Sequence, residues 1–444
     1  MSRLTIKTLL LLCLSGLVFQ GFSQDTTSKA LPPVWDLEAC LEYAKTNSIE
    51  IRSLQLDKQS AEQDKLLAKS ALLPDLYGSA SQSFNHYNQT TGGNSNALNS
   101  SGSLGLSSSW TLYRGGYLKT DIVQKDLAIQ SANLSILESE NDITLQITQA
   151  YLNILVDKES IVYNQDLVKT SEAQLAQAQR QFAVGTVARK VVAQFEAQLA
   201  GDKYNLIASE NAERKDKITL KQLLQLPDQS NFDVVKPDTV LSSASVTDLK
   251  TVQQYALQNR PEIKNAELGI QSADLGLAKA KSGYLPSLTL GAGIGTNYAN
   301  DPNYNVFRQF DNNFNQQVGV TLSVPIFTKR QNKTNVAQAK IDIAQSKLTL
   351  ENAKTTLALN TENAYITAQN SQNQYRSAVE QLKYNQEVYR IANQELKIGA
   401  ANIVEFYQQR NLYVQALQSY IQAKYNAALS ARIYEFYLGT PIKL

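Results

Sequence analysis

The sequence predicts a mainly α-helical protein with membrane β-strands, in which one structural unit occurs twice. Three observations predict this fold class. The 444 residues contain a repeat that covers nearly the whole chain. Each copy contains, in order, a helix, two strands, a very long helix and a return helix. The strand segments alternate between apolar and polar residues, which is typical of strands that meet lipid on one side and water on the other.

The repeat is visible in the residues that flank two prolines. Residues 68–74 recur as 280–286, an offset of 212, and Gly185 recurs as Gly399, an offset of 214. This period is far too long for a solenoid of small repeats. We expect a first repeat at 24–226, a connecting segment at 227–246 and a second repeat at 247–444. Two such halves favour pseudo-symmetry, and a symmetric oligomer of such chains can form a closed ring.

The N-terminus is typical of a secretory signal peptide. Arg3 and Lys7 precede an apolar run at 9–19, and Gly21 and Ser23 are the small residues expected before a cleavage site. The predicted signal peptide is therefore 1–23. After cleavage Cys40 is the only cysteine, so a disulfide within the chain is not expected.

Composition limits the classes of function. The full chain has 42 basic and 40 acidic residues, and removal of the leader removes the excess of positive charge. A basic stretch with interleaved aromatics is absent from the sequence, so nucleic acid is not an expected partner. Beyond the leader there is no run of about 18 apolar residues, so a spanning helix is not expected. Abundant Asn, Gln, Ser and Ala suit a water-facing wall.

Each repeat begins with a helix, predicted at 35–72 and at 247–283. Both helices end just before a proline, Pro74 or Pro286, because proline disfavours helix at the residue before it. The strands that follow are predicted at about 75–87 and 102–113 in the first half, and at about 286–298 and 315–327 in the second.

The strand segments have one apolar and one polar face. The clearest apolar rows are Leu288, Leu290, Ala292, Ile294 and Tyr298, and Val318, Val320, Leu322, Val324 and Ile326. This pattern favours a transmembrane barrel. The alternative is a soluble sandwich with one wet face. Aromatic residues cluster at the strand ends, as at a bilayer interface.

The long helices carry a seven-residue repeat. Ile122, Ile129, Ile136, Ile143 and Ala150 are matched by Val336, Ile343, Leu350, Leu357 and Ala364. Such a repeat keeps one seam against a neighbouring helix. Apolar residues off the seam, such as Leu127 and Ile341, predict a second neighbour. Residues 115–181 would form a helix roughly 100 Å long. Both long helices end near a glycine, Gly185 or Gly399, which suits a left-handed helix end. Return helices follow at 189–226 and 403–437.

These features together resemble the TolC-like outer membrane factor family. The resemblance rests on the duplication, the Pro74 and Pro286 junctions, residues 324–327 with Pro325, and the turn at 184–186. It covers essentially all of the mature chain. It implies a TolC-type trimeric α-barrel in the periplasm joined to a 12-stranded β-barrel in the outer membrane, with four strands per chain. Four strands are too few to close a barrel, whereas three copies supply enough.

The resemblance also implies partners and site residues. The partners are two further copies of the chain, outer-membrane lipid, a periplasmic membrane-fusion adaptor and an inner-membrane pump. The helix turns of the family contact the adaptor, which maps to Gly185, Thr186, Gly399 and Ala400. An acidic ring at the periplasmic entrance maps to Glu405. The alternatives are ordinary helix caps for the glycines and an ordinary solvated glutamate for Glu405.

The sequence does not predict an enzyme. The single histidine, His86, and Cys40 cannot form a histidine-based triad or a multi-histidine metal site. The glycines of 291–295 lie in an alternating strand rather than before a helix, so they do not indicate a dinucleotide site. No cofactor or metal is expected.

The predicted function is a passive outer-membrane channel-tunnel of a tripartite efflux or type I secretion system, in a Gram-negative bacterium. It would let small molecules or proteins cross the periplasm and outer membrane. The alternative is a periplasmic adaptor or coiled-coil scaffold without a pore. Adaptors have one helical hairpin flanked by soluble β domains, whereas this chain has a strand pair in each half.

Overall fold

A computed structural model describes residues 32–87, 97–227, 232–237, 247–299, 305–398, 400 and 402–442. The predicted signal peptide lies outside the described residues. The helices are α1 Leu37–Asn47, α2 Ile49–Ser70, α3 Tyr117–Ala183, α4 Arg189–Leu223, α5 Leu249–Asn259, α6 Pro261–Ser282, α7 Val306–Asn312, α8 Gln331–Ile398 and α9 Ile403–Tyr437. The strands are β1 Val34–Trp35, β2 Tyr77–Tyr87, β3 Ala97–Arg114, β4 Asp233–Val234, β5 Ser287–Ala299 and β6 Asn315–Ser323.

The predicted fold class is confirmed. Each half runs helix, two strands, long helix and return helix, and the helices of the two halves match at the offsets seen in the sequence. The two long helices, α3 and α8, have 67 and 68 residues, so each is roughly 100 Å long. Elongated helices of this kind place the strands and the helix turns at opposite ends of the molecule.

The first helix of each half is shorter than predicted, because each is divided into two. Ser48 separates α1 from α2 with ψ 127°, and its Oγ accepts the Ile51 N–H at 3.4 Å. Arg260 separates α5 from α6 with ψ 138°, because Pro261 excludes helical geometry from the residue before it. Single helices at 35–72 and 247–283 were therefore wrong predictions.

Two strand boundaries also differ from the prediction. β6 ends at Ser323 rather than near 327, because Pro325 cannot donate to a strand ladder. β3 begins at Ala97 rather than near 102 and has 18 residues. Between β5 and β6, α7 forms where the Asn305 side chain accepts the Phe307 N–H at 3.1 Å.

Four strands form one antiparallel sheet in the order β2-β3-β5-β6. The central pair, β3 and β5, joins the two halves of the chain. β1 and β4 form a separate parallel pair. The largest apolar core lies beside this small pair, around the middle of α3, and includes Trp35, Cys40, Tyr151 and Leu155. The core therefore sits between the sheet and the distant helix turns.

Next to the sheet, four helices form a second layer in the same order as the strands to which they connect: α2, α3, α6 and α8. α3 packs against α2 and α6, and α6 packs against α8. The seven-residue seam of α8 lies in these contacts, since Leu357 is 3% exposed. The apolar residues off that seam stay uncovered, with Ile341 59% and Leu348 65% exposed. α2 and α8 are thus the open ends of the helical layer.

Candidate functional site

The sheet has two chemically different faces. In the antiparallel register Leu106 lies opposite Ile294, Leu290 opposite Val320, and Leu288 opposite Leu322. These side chains form an apolar face that the chain itself leaves open, because Ile294 is 44% and Val320 64% exposed. Exposed contiguous apolar surface of this kind marks a contact with lipid or with another protein.

The opposite face of the sheet is small, polar and without charge. It is lined by Ser79, Ser81, Ser83, Ser103, Gly105, Ser107, Ser109, Thr289, Gly291, Gly293, Gly295, Asn297, Asn315, Gln317, Gly319 and Thr321. Among all the residues of β2, β3, β5 and β6, Arg114 is the only Asp, Glu, Lys or Arg, and it lies at the end of β3. Such a surface suits water and imposes no fixed charge along the strands.

The predicted helix-to-barrel junctions lie where the helices meet the sheet. Beside Pro74, Asp75 Oδ1 accepts the Ser109 N–H at 2.6 Å, and Trp110 Nε1 donates to the Leu72 carbonyl at 2.7 Å. These bonds fix the connection from α2 to β2 against β3. Pro286 directly precedes β5, and Pro325 follows the end of β6.

The turns into the long helices have the same backbone in both halves. Gly115 and Gly116 have φ of 58° and 81°, and the residues at the repeat-related positions, Lys329 and Arg330, have φ of 47° and 69°. A left-handed backbone costs a non-glycine residue about 1–2 kcal/mol. Gly115 is required, since a Cβ there would meet the Ser282 carbonyl oxygen at 2.7 Å. The second half therefore keeps the conformation at an energetic cost.

The helix turn of the first half closes around Gly185. Its φ is 75°, and the Thr186 N–H and hydroxyl both donate to the Gln181 carbonyl at 2.9 Å. This arrangement is a glycine helix end. Gly185 and Thr186 are both exposed.

The second turn is described in part. Gly399 lies outside the described residues, whereas the exposed Ala400 donates its N–H to the Glu395 carbonyl at 2.8 Å. The Asn402 side chain caps α9 by accepting the N–H groups of Val404 and Glu405 at 2.8 and 3.0 Å. Glu405 thus lies in the first turn of α9 with its side chain exposed.

The two turns belong to one packed end of the molecule. Ala178, Val192, Phe195 and Phe406 form a separate buried cluster that joins α3, α4 and α9. A cavity of about 430 Å³ lies beside this cluster, between the α3–α4 hairpin and the α8–α9 hairpin. Thr186, Phe195 and Leu396 are among the residues that line it.

Two buried carboxylates connect the halves above the turns, and sequence reasoning missed both. Asp202 on α4 is 4% exposed and accepts hydrogen bonds from Ser171 on α3 and from Arg410 on α9, the latter at 2.6 Å. Glu159 on α3 accepts two bonds from Lys424 on α9 at 2.9 and 3.0 Å. The sequence around a charged helical residue does not predict that the residue is buried, because the partner that neutralises it lies more than 200 residues away.

A third carboxylate, Asp157, has a different environment. It lies on α3 against α4, its Oδ2 is buried, and the carboxyl of Asp216 lies within hydrogen-bond reach across the contact. Burial, together with the nearby carboxylates of Asp216 and Glu213, raises the pKa of Asp157 to about 7. Across the same contact, Lys217 is held by Glu213 and Asp233 at 2.8 and 3.0 Å.

Replacement of Asp157 by asparagine should stabilise the protein at high pH. A carboxyl whose pKa is higher in the folded state favours folding below its unfolded pKa of about 4, and that contribution is lost as pH rises to about 7. At pH 8 we expect Asp157→Asn to raise the free energy of unfolding by of order 1 kcal/mol, allowing for solvent screening, with little change at pH 4. Thermal unfolding at both pH values measures this. Asp166→Asn, an exposed change on the same helix, is the control, and an equal gain at both pH values would contradict the assignment.

Within the described residues, no helix is both long enough and apolar enough to cross a membrane. The same residues contain no cluster of three or more His, Cys, Asp or Glu side chains placed to hold a metal ion.

Two repeated helical hairpins and a four-stranded sheet with one apolar and one polar face are typical of outer-membrane channel components. The sequence profile of the outer membrane efflux protein family matches residues 40–225 and 252–439, one segment in each half. The chain belongs to this family. It is accordingly an outer-membrane channel component of an efflux system, not an enzyme, with long helices that extend into the periplasm of a Gram-negative cell.

Individual relatives agree in sequence and in fold. The outer membrane protein TolC of Escherichia coli is 26% identical over 97% of this chain and 86% of its own. The toxin and drug export protein A of Aggregatibacter actinomycetemcomitans is 24% identical over 88% of this chain and 83% of its own. The crystal structure of the outer membrane protein VceC of Vibrio cholerae superposes with a TM-score of 0.75 at 16% identity, over 91% of this chain and 96% of that one.

Proposed function

We propose that the protein is a passive exit duct that three copies of the chain complete. The observation that carries this proposal is the pair of open edges. β2 and β6 are the outer strands of the sheet, and α2 and α8 are the outer helices of the layer beneath it. Both layers end in the same order, so one neighbour on each side can cover both.

The direction of the strands supports this arrangement. In an antiparallel sheet of four strands, β2 and β6 run in opposite directions. When copies stand in a ring, β6 of one copy lies beside β2 of the next and continues the antiparallel order. Uncovered strand edges otherwise promote uncontrolled pairing, and closure removes them. Three copies give 12 strands, enough for a barrel with an aqueous interior.

The helices support the same ring. Leu348 on α8 is 65% exposed, and Leu56 and Leu67 on α2 are 63% and 71% exposed. A contact between α8 of one copy and α2 of the next would bury them. The polar face of the sheet then lines the bore, and the apolar face meets lipid. Transport needs no reaction in such a duct.

The turns around Gly185, Thr186 and Ala400 are the proposed contacts for a periplasmic adaptor, which links the duct to an inner-membrane pump. They are exposed and lie at the end of the molecule farthest from the sheet. In a ring, three copies of Glu405 would form an anionic entrance, which favours cations. Relatives named for toxin and drug export or for pyoverdine export support an efflux or export role, with small molecules or proteins as the proposed cargo.

The purified protein should form trimers that conduct ions. Light scattering in detergent would give the number of chains, and planar bilayer recordings would give the conductance. A folded protein that stays monomeric or dimeric, or that never conducts, would overturn the proposal and favour the adaptor or scaffold alternative.

A bulky charge at the second turn should stop export without closing the duct. Ala400→Arg adds a large side chain where the backbone is exposed, so it should block adaptor contact while the trimer and its conductance persist. The matched control is Gly201→Arg on α4, where a Cβ meets no atom within 4 Å. Export by cells that contain the pump and adaptor measures the effect. Normal export by Ala400→Arg would argue against contact at this turn.

A further inference from the structure

The junction between helices and sheet carries a concentrated positive charge. It comprises residues 67–76, 114–121, 279–286 and 324–334. These segments contain eight Lys and Arg residues and two Asp residues, an excess of six positive charges in each chain. The full chain has 42 basic and 40 acidic residues, so this charge is a local feature.

Seven of these cations are exposed, and we call them the basic belt. They are Lys69, Arg114, Lys119, Lys281, Lys329, Arg330 and Lys333. In the described part of the chain none of them forms a salt bridge, although Lys69 lies in the field of Asp126 and Arg114 stacks 4.7 Å from the centre of the Tyr117 ring. The acidic residues of the junction are engaged: Asp75 accepts the Ser109 N–H, and Asp121 binds Lys279 at 2.5 Å.

The belt has the symmetry of the duplication. Lys69 and Lys281 are the next-to-last residues of α2 and α6, and Lys119 and Lys333 are the third residues of α3 and α8. Both halves therefore place cations at the same height on the molecule. Three copies would carry them around the whole circumference.

The strongest sign of a role is the pair Lys329 and Arg330. In the first half the same left-handed turn is made by Gly115 and Gly116, which suit it without strain. Both halves use the turn in the same way, since the carbonyls of Gly116 and Arg330 accept N–H groups at 3.2 and 3.0 Å. Two adjacent cations in place of glycines are unfavourable for the backbone, and the turn itself gives no reason for them.

Apolar groups border the belt on the side of the sheet. Ile326 and Phe327, just before the pair, are 94% and 83% exposed, and Leu73, Leu76 and Tyr284 are at least 50% exposed. Aromatic and aliphatic groups beside Lys and Arg are typical of a bilayer interface, where the apolar groups enter the lipid and the cations meet head groups.

We propose that the basic belt binds anionic phospholipid head groups in the membrane leaflet that faces the helices. The inference rests on the membrane position of the sheet, and it adds a lipid partner to the proposed function. Positive charge excess, exposure and the neighbouring apolar groups all fit a phosphate-bearing lipid rather than a protein surface. Such attraction is electrostatic, so added salt weakens it.

The test uses the full-length protein in non-ionic detergent. Native mass spectrometry measures the binding of phosphatidylglycerol and of phosphatidylcholine with the same acyl chains, and soluble glycerol phosphate serves as a competitor. We expect tighter binding of phosphatidylglycerol, lost at high salt and not displaced by glycerol phosphate at equal concentration.

The informative variant is Lys329→Gly/Arg330→Gly, which gives the second half the glycines of the first. Removal of two cations, at roughly fivefold for each, should weaken phosphatidylglycerol binding more than tenfold. The melting temperature without lipid should stay the same or rise, because the backbone strain is relieved. The control, Lys347→Gln/Lys354→Gln, removes two exposed cations roughly 25 and 35 Å further along α8 and should change binding less than twofold.

Three results would overturn the proposal. One is equal affinity for the two lipids. Another is normal phosphatidylglycerol binding by a folded Lys329→Gly/Arg330→Gly protein. The third is a change in the ion selectivity of that variant in bilayers, which would place the belt in the bore. Trimer size and conductance, recorded on the same samples, test the proposed duct separately.

Discussion

Lysine in place of Val320 should prevent the sheet from inserting stably into the membrane. Val320 lies on the apolar face near the middle of β6, opposite Leu290, and is 64% exposed. A lysine on the lipid face of a membrane strand costs about 2–4 kcal/mol near the bilayer midplane. In the proposed trimer, three copies would multiply this to about 6–12 kcal/mol. We expect most Val320→Lys protein to fail to assemble.

The neighbouring residue supplies the control. Thr321 follows Val320 in the same strand, but it lies opposite Thr289 on the polar face. Thr321→Lys would place the same charge in the proposed water-filled bore, where it should change ion selectivity and leave assembly intact. The fraction of heat-stable trimer in isolated outer membranes measures both variants. If Thr321→Lys were the damaging change and Val320→Lys harmless, the two faces would be assigned the wrong way round.

The assignment of Val320 and Thr321 to opposite faces of the sheet could be predicted from the sequence. Strict alternation along 316–323 is enough to separate the two faces, because successive side chains in a strand point to opposite sides. Duplication of the chain likewise predicts that α3 and α8, or α4 and α9, are equivalent. Local chemistry of this kind needs no knowledge of distant contacts.

Other features depend on geometry that the sequence does not reveal. The division of the first helix at Ser48 follows from a side-chain cap that only the folded backbone identifies. The register of β3 and β5 is irregular between Thr111 and Tyr113, and Tyr113 therefore lies opposite Leu288 on the apolar face. Strict alternation along β3 would instead place Leu112 on the apolar face and Tyr113 on the polar one. Lys329 and Arg330 align with Gly115 and Gly116 in the repeat, but only the folded backbone reveals that the two cations adopt the left-handed conformation.

Loss of either partner of the buried pair of Asp202 and Arg410 should destabilise the helices severely. The two side chains are 4% and 2% exposed. Asp202 Oδ1 also accepts a bond from Gln198 at 3.0 Å, and Oδ2 accepts those of Ser171 and Arg410. Removal of one partner leaves an uncompensated buried charge, which costs about 3–5 kcal/mol. We therefore expect Arg410→Met to lower the free energy of unfolding by about that amount.

The double variant should be less damaging than the single one. Asp202→Asn/Arg410→Met removes both charges, so most of the desolvation penalty disappears, and a neutral pair of similar volume remains. Chemical denaturation followed by circular dichroism measures the single variants and the pair in one double-mutant cycle. A double loss equal to the sum of the two single losses would show that the charges do not act together.

An exposed ion pair beside the buried one provides the control. Lys203 and Glu172 directly follow Asp202 and Ser171 in the chain and lie 3.0 Å apart, but both are about half exposed. An ion pair in water contributes only about 0–1 kcal/mol, so Lys203→Ala should have a small effect. The contrast isolates burial as the cause, because the two pairs lie next to each other, with Asp202 and Lys203 adjacent on α4. Asp202 belongs to the first half of the chain and Arg410 to the second. The buried pair therefore holds the α3–α4 hairpin against the α8–α9 hairpin, close to the turns proposed to contact the adaptor.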